Sequence, residues 1–181
     1  MRWILILTSL AAVGLVACED GGEDGAGGAG GGAGGGTPAA CFDYGSWDGS
    51  APAVSLRTDV VPILQGSCTF GTSCHGVPGA AGSVYLGPSA ATTPTDEQLA
   101  AMLADTVGVE PRVEAGMPRI SAGDPSQSFL MHKVDGTLSC GDLACAATES
   151  CQDAMPLNQE PLSAEKRDIL RRWIAQGAQD N

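Results

Sequence analysis

Basic and aromatic residues are what this sequence has least of. Nine Lys and Arg stand against 21 Asp and Glu, a formal charge of −12, and a chain with that balance repels phosphate backbones, which argues against nucleic-acid binding. Aromatic residues make up only 4%, so a large aromatic core is excluded and the folded part must be smaller than the chain. A length of 181 residues suits one domain of roughly 100–150 residues with appendages rather than two cores. No Ser-His-Asp set and no paired carboxylates stand out, so nothing makes an independent case for a hydrolase. The expectation is a carrier or binding module rather than a catalyst.

What is present begins with an address. Arg2 supplies a positive start, and Trp3 to Val16 is an apolar run broken only by Thr8, Ser9 and Gly14. It is too short for a spanning helix. Leu15-Val16-Ala17-Cys18 follows at once and resembles a bacterial lipobox, which implies cleavage of residues 1–17 and a lipid on Cys18. Residues 18–40 continue with Glu-Asp-Gly-Gly-Glu-Asp-Gly and then chiefly Gly and Ala. Such a stretch has no apolar side chains to bury and much backbone entropy to lose, so it is expected to be a disordered, flexible tether spanning roughly 20–25 Å. A phosphate loop is excluded by the missing Lys-Ser/Thr ending and by four neighbouring carboxylates. The chain is therefore expected at the cell envelope, anchored to membrane through the lipid, at the periplasmic face or the outer membrane.

The foldable domain spans 41–181, and its helix signals come in order. Asp59 is a candidate cap for a helix that holds Pro62 in its first turn and runs through Val60, Val61, Ile63 and Leu64 to Cys68. Thr95 and Gln98 make a capping box before Leu99, Met102 and Leu103. Asp124-Pro125-Ser126-Gln127 opens a third helix through Phe129, Leu130, Met131 and Val134, with Gly136 as its stop. Ser163 caps the last, whose stripe is Ile169, Leu170, Trp173 and Ile174 and whose stop is Gly177. No stretch alternates convincingly for a sheet. The fold class read from these signals is all-α, with long loops between short helices.

Chemistry concentrates at Cys68-Thr-Phe-Gly-Thr-Ser-Cys74-His75. A thiol can add to a porphyrin vinyl group, and an imidazole directly after it is placed to lie under the iron. The same domain carries Val60-Val61-Pro62-Ile63-Leu64 before this motif, Cys74-His75-Gly76 within it, and Gly123-Asp124-Pro125-Ser126-Gln127-Ser128 midway. Met155-Pro156 and Trp173-Ile174-Ala175-Gln176-Gly177-Ala178 follow. In this order the elements resemble the small c-type cytochrome domains of bacterial envelope lipoproteins, over most of Leu56 to Ala178. The resemblance implies a small helical cytochrome c-like fold and one haem c. It also implies Cys74 and Cys68 as thioether anchors, His75 as proximal iron ligand, Met155 as distal ligand, and a redox protein as partner. A thioether opposite an imidazole favours ferrous iron and closes it to substrates, which describes electron transfer. Met117-Pro118 is a second Met-Pro and makes Met117 the alternative ligand. Five residues separate Cys68 from Cys74, where the family usually has two. Either the segment bulges to keep both thioethers, or Cys74 alone attaches, or no haem binds and the cysteines form disulfides. In that last case the domain is a haem-free, disulfide-stabilised module for binding or structure in the envelope.

Cysteine arithmetic leaves this open. Beyond Cys18, six remain, which allow 15 pairings as three disulfides, or 3 pairings of the four left by a haem on two. The spacing of Cys140, Cys145 and Cys151 suggests a loop tied to itself or to Cys41, bracing the segment that presents Met155. Zinc is disfavoured, since the cysteines lack paired short spacings. His132 reads as a packing or surface residue, and Met102 and Met131 as core. Lys166, Arg167, Arg171 and Arg172 read as a solvated helix face complementing the helix dipole.

Overall fold

The computed structural model describes residues 40–90, 92–140 and 143–181. The leader-like run, Cys18 and the Gly-rich stretch lie outside the described residues. Four α-helices carry the domain: α1 (Val61–Ser67), α2 (Asp96–Thr106), α3 (Phe129–Asp135) and α4 (Ala164–Ala175). Among the described residues the nearest thing to a sheet is one parallel bridge between Val107 and Ile120, so the all-α expectation holds. No described helix is long and apolar enough to cross a membrane.

The start of the first helix differs from expectation. A π-helical turn, Leu56–Val60, precedes α1, and its cap is Ser55, not Asp59. Ser55 Oγ accepts from Thr58 N at 3.4 Å, while the Asp59 carboxylate accepts from Ser55 N at 2.8 Å. The widened turn, closed by Val60 N on Ser55 O at 3.3 Å, places Asp59 to bond back to the cap. Pro62, which has no N–H to donate, falls directly after this widening, where a regular ladder is already interrupted.

The other signals hold except at the third helix, where Asp124 caps a separate 3-10 turn and α3 starts at Phe129 behind Ser128. Thr95 and Gln98 form both halves of the capping box on α2. Asp124 accepts from Ser126 N and Gln127 N at the 3-10 turn Pro125–Gln127. Gly136 ends α3 at φ 68° and Gly177 follows α4 at φ 103°, backbone positions that cost other residues a Cβ clash. Ser163 Oγ caps α4 by accepting from Lys166 N at 3.3 Å.

The main core gathers Leu56, Val60 and Leu64 from the first helical segment, Leu99 and Met102 from α2, Met131 and Val134 from α3, and Leu170, Trp173 and Ile174 from α4. Helix α4 packs on α3, on the turn before α1 and on the 3-10 turn after Asp124. A second cluster forms under the long loops from Ala115, Met117, Phe129, Leu143, Cys145 and Cys151. Two disulfides tie these loops, Cys41–Cys140 and Cys145–Cys151. The first joins residues 99 apart, a closure the chain-entropy model values at about 4–5 kcal/mol.

The basic group on α4 is not the solvated face expected for it. Arg171 is only 3% exposed and its Nη2 donates to both Asp135 carboxylate oxygens, at 2.9 and 2.8 Å. Arg167 donates to the same carboxylate at 3.1 Å. The Arg171 guanidinium lies 3.6 Å from the Phe42 ring centroid, within an edge-to-face cluster of Phe42, Tyr44 and Trp47. Arg172 bonds Asp168, Asp48 O and Ala51 O. The reason is tertiary: the segment after Cys41 folds back over α4, and its aromatic faces and carbonyls claim cations that the helix alone would leave in water.

Candidate functional site

His75 reaches its place through a tightly closed loop. Helix α1 ends with Cys68 N on Leu64 O at 2.7 Å, and His75 N returns to Cys68 O at 3.0 Å, so the segment between them is a closed loop at the helix terminus. Gly71 turns it at φ 65°. A Cβ on Gly76 would lie 2.9 Å from the carbonyl oxygens of both Gly71 and Thr69, so glycine alone lets the backbone cross itself there.

The imidazole is then fixed by the segment it meets. Leu86 N donates to His75 O at 2.9 Å, and His75 Nδ1 lies 3.1 Å from Val84 O. A carbonyl can only accept, so Nδ1 carries the proton in that bond, and the backbone of Ala81 also hydrogen-bonds the ring. Burial lowers the pKa of His75, with the bond to Val84 acting against this. Burial and a fixed ring orientation are what a neutral imidazole ligand would use.

His75 lines a cavity of about 540 Å³ together with Cys68, Cys74, Met155 and Pro156, a size typical of cofactor sites. Its apolar walls include Val84, Leu86, Ile120, Phe129, Leu130 and Val134, and it also carries Arg112, Arg119 and Lys133. Met117 lies elsewhere: it is 3% exposed in the second cluster and borders a separate cavity of about 190 Å³ with His132 and the Cys41 and Cys140 sulfurs' residues. The structure thus brings Met155, not Met117, to the cavity of His75. His132 is a packed residue, its Nδ1 3.2 Å from Thr137 Oγ1, and it does not line the large cavity. Met102 and Met131 are core, each 1% exposed.

The two cysteines of the motif differ in state. Cys68 is a free, buried thiol, and burial pushes its pKa up to about 12. Cys74 is disulfide-bonded. They are not bonded to each other, which removes the local Cys68–Cys74 disulfide from the alternatives. Cys41, Cys140, Cys145 and Cys151 are all in disulfides, with the 140–151 loop tied both to itself and to Cys41. Among the described residues no three His, Cys, Asp or Glu side chains gather as metal ligands. The His75 and Met155 pair is a different kind of donor set, imidazole and thioether.

Sequence reasoning missed the cations of the cavity. Arg119 is 8% exposed; its Nη1 donates to Asp105 O at 2.6 Å and lies 3.2 Å from the Asp105 carboxylate, while its Nε has no hydrogen-bond partner. Lys133 is 9% exposed, and burial draws its pKa down to about 8. A signal for Lys133 existed. It follows Phe129 by four positions and Leu130 by three, so a charged residue sits on the apolar face of α3.

The chain was compared with protein-family models, curated proteins and solved structures, and none of them matches it.

Proposed function

We propose that the domain holds a single haem in the 540 Å³ cavity, with His75 and Met155 as the axial donors, and serves as a lipid-anchored electron carrier of the cell envelope. One observation carries this reading: the imidazole of His75, oriented by Val84 O, and the Met155 thioether, 80 positions apart in sequence, border the same largely apolar cavity. Haem bound there would supply one-electron exchange at its iron. The chain's part is to present His75 on a rigid loop, keep water from the apolar walls, and place Arg112, Arg119 and Lys133 where negative charge on a ligand would be met. Cys68 offers a thiol at the cavity wall. Attachment through Cys74 first requires reduction of its disulfide. The anchor rests on the sequence Leu15-Val16-Ala17-Cys18.

The Cys74 disulfide favours a second reading, a haem-free cytochrome c-like fold that uses the cavity as an envelope binding module. Maturation in a host with haem-ligation machinery separates the two. The carrier gives a sharp Soret absorption and a haem-sized mass increment, and Met155→Ala lowers the reduction potential while Met117→Ala leaves it unchanged. A colourless product of unaltered mass removes the haem reading. A change of ligand-field spectrum in Met117→Ala rather than Met155→Ala reverses the ligand assignment.

A further inference from the structure

The loop that presents Met155 has little regular structure, yet one residue of α3 holds it at three points. Lys133 Nζ donates to Cys151 O at 2.6 Å and to Asp153 O at 2.7 Å. The Lys133 carbonyl accepts from Met155 N at 2.8 Å. Among the described residues no backbone N–H donates to Cys151 O or Asp153 O, so the ammonium is the partner that satisfies both carbonyls. A buried ammonium is costly, and an apolar side chain would fill the same space without that desolvation. What the charge gains here is two short charge-assisted hydrogen bonds and the face of Phe129, whose centroid lies 5.3 Å away.

We infer that Lys133 is a positioning residue that fastens the 151–155 segment to α3 and so sets where the Met155 thioether stands in the cavity. The Cys145–Cys151 disulfide fixes the start of the segment; Lys133 holds that start at Cys151 O, its middle at Asp153 O and its end at the Met155 amide. The consequence for a bound metal rests on the reading of Met155 as an axial ligand. The fastening itself does not.

The test uses the full chain, with and without haem. In the haem-free protein, Lys133→Met is expected to raise hydrogen exchange of backbone amides across 152–158 by about tenfold or more while α4 amides stay unchanged, and Lys133→Arg, which keeps donors, is expected to restore most of the protection. In haem-loaded protein the same Lys133→Met is expected to weaken the thioether-to-ferric-iron absorption and lower the potential, again with recovery in Lys133→Arg. A measurement on the unaltered protein guards against a variant that does not fold. In the unaltered protein the Met155 amide, which donates to Lys133 O, should exchange at least about tenfold more slowly than an exposed amide. A Met155 amide that exchanges as fast as an exposed one, or unchanged exchange across 152–158 in Lys133→Met, overturns the inference. A colourless protein with a loosened segment leaves the fastening standing and defeats the haem reading; a haem protein whose potential ignores Lys133→Met defeats the positioning role.

Discussion

The Asp135 cluster gives the sharpest stability prediction. Its carboxylate is 4% exposed and faces Arg171, 3% exposed, at 2.8 Å, with Arg167 at 3.1 Å on the other oxygen. Removing the carboxylate leaves a buried guanidinium, stacked on Phe42, with only the more distant Asp168 carboxylate at 3.7 Å. Breaking one side of a buried pair costs about 3–5 kcal/mol, because the remaining charge stays desolvated, so Asp135→Ala is expected to cost about that much. Arg171→Met should cost less, since Asp135 retains Arg167 and a methionine keeps apolar contact with the Phe42 ring. The double variant removes both buried charges, and its cost should be smaller than that of Asp135→Ala alone, a coupling of roughly 2 kcal/mol. Urea unfolding followed by fluorescence suits the measurement, because Trp173 on α4 is 1% exposed and reports directly on this helix. A cost below about 1.5 kcal/mol for Asp135→Ala, or a double variant additive within about 0.5 kcal/mol, would refute the reasoning.

Two further outcomes are expected. Cys68, with its thiol pushed up to about 12 by burial, should react with a soluble alkylating reagent at pH 8 at least about 10³-fold more slowly in the native fold than in urea, since only the thiolate attacks; comparable rates by mass labelling would contradict its burial. For Asp168, burial alone would raise the pKa, but hydrogen bonds from Arg172 at 2.7 Å and Trp47 at 2.8 Å outweigh it and lower the value below 3.8. Its stabilisation is then present above 3.8 and lost as the pH falls through the lowered value, so Asp168→Asn should flatten the loss of urea stability on acidification towards about pH 2.

The features legible in the sequence are those written within one turn of chain. Thr95 with Gln98, Asp124 with Pro125, Ser163 before α4, and the stops at Gly136 and Gly177 are local bargains between a side chain and backbone groups three or four residues away. The first helix shows where such reading slips. Asp59 and Ser55 both offer a capping oxygen, and only the π-helical widening decides that Ser55 is the cap and Asp59 its return partner. Arg171 was illegible for a different reason: the groups that bury it, Asp135 and Phe42, lie 36 and 129 positions away in sequence. That Met155 rather than Met117 shares a cavity with His75 was not legible, because both stand in a Met-Pro and only the tertiary fold separates them.

The two halves of that cavity are held by forces of different kind. The His75 side is fastened by backbone bonds, Cys68 O to His75 N and His75 O to Leu86 N, at the end of a helix whose Leu64 is 2% exposed in the core. The Met155 side is held by the Lys133 ammonium, by the Met155 N–H on Lys133 O and by one six-residue disulfide loop. Backbone bonds in a packed core open only with large parts of the domain, whereas a loop tied to one residue of a helix opens more locally. The imidazole should therefore stay in place through fluctuations that move the thioether. The steadiness of the Met155 segment therefore depends on Lys133 more than on the Cys74-His75 loop.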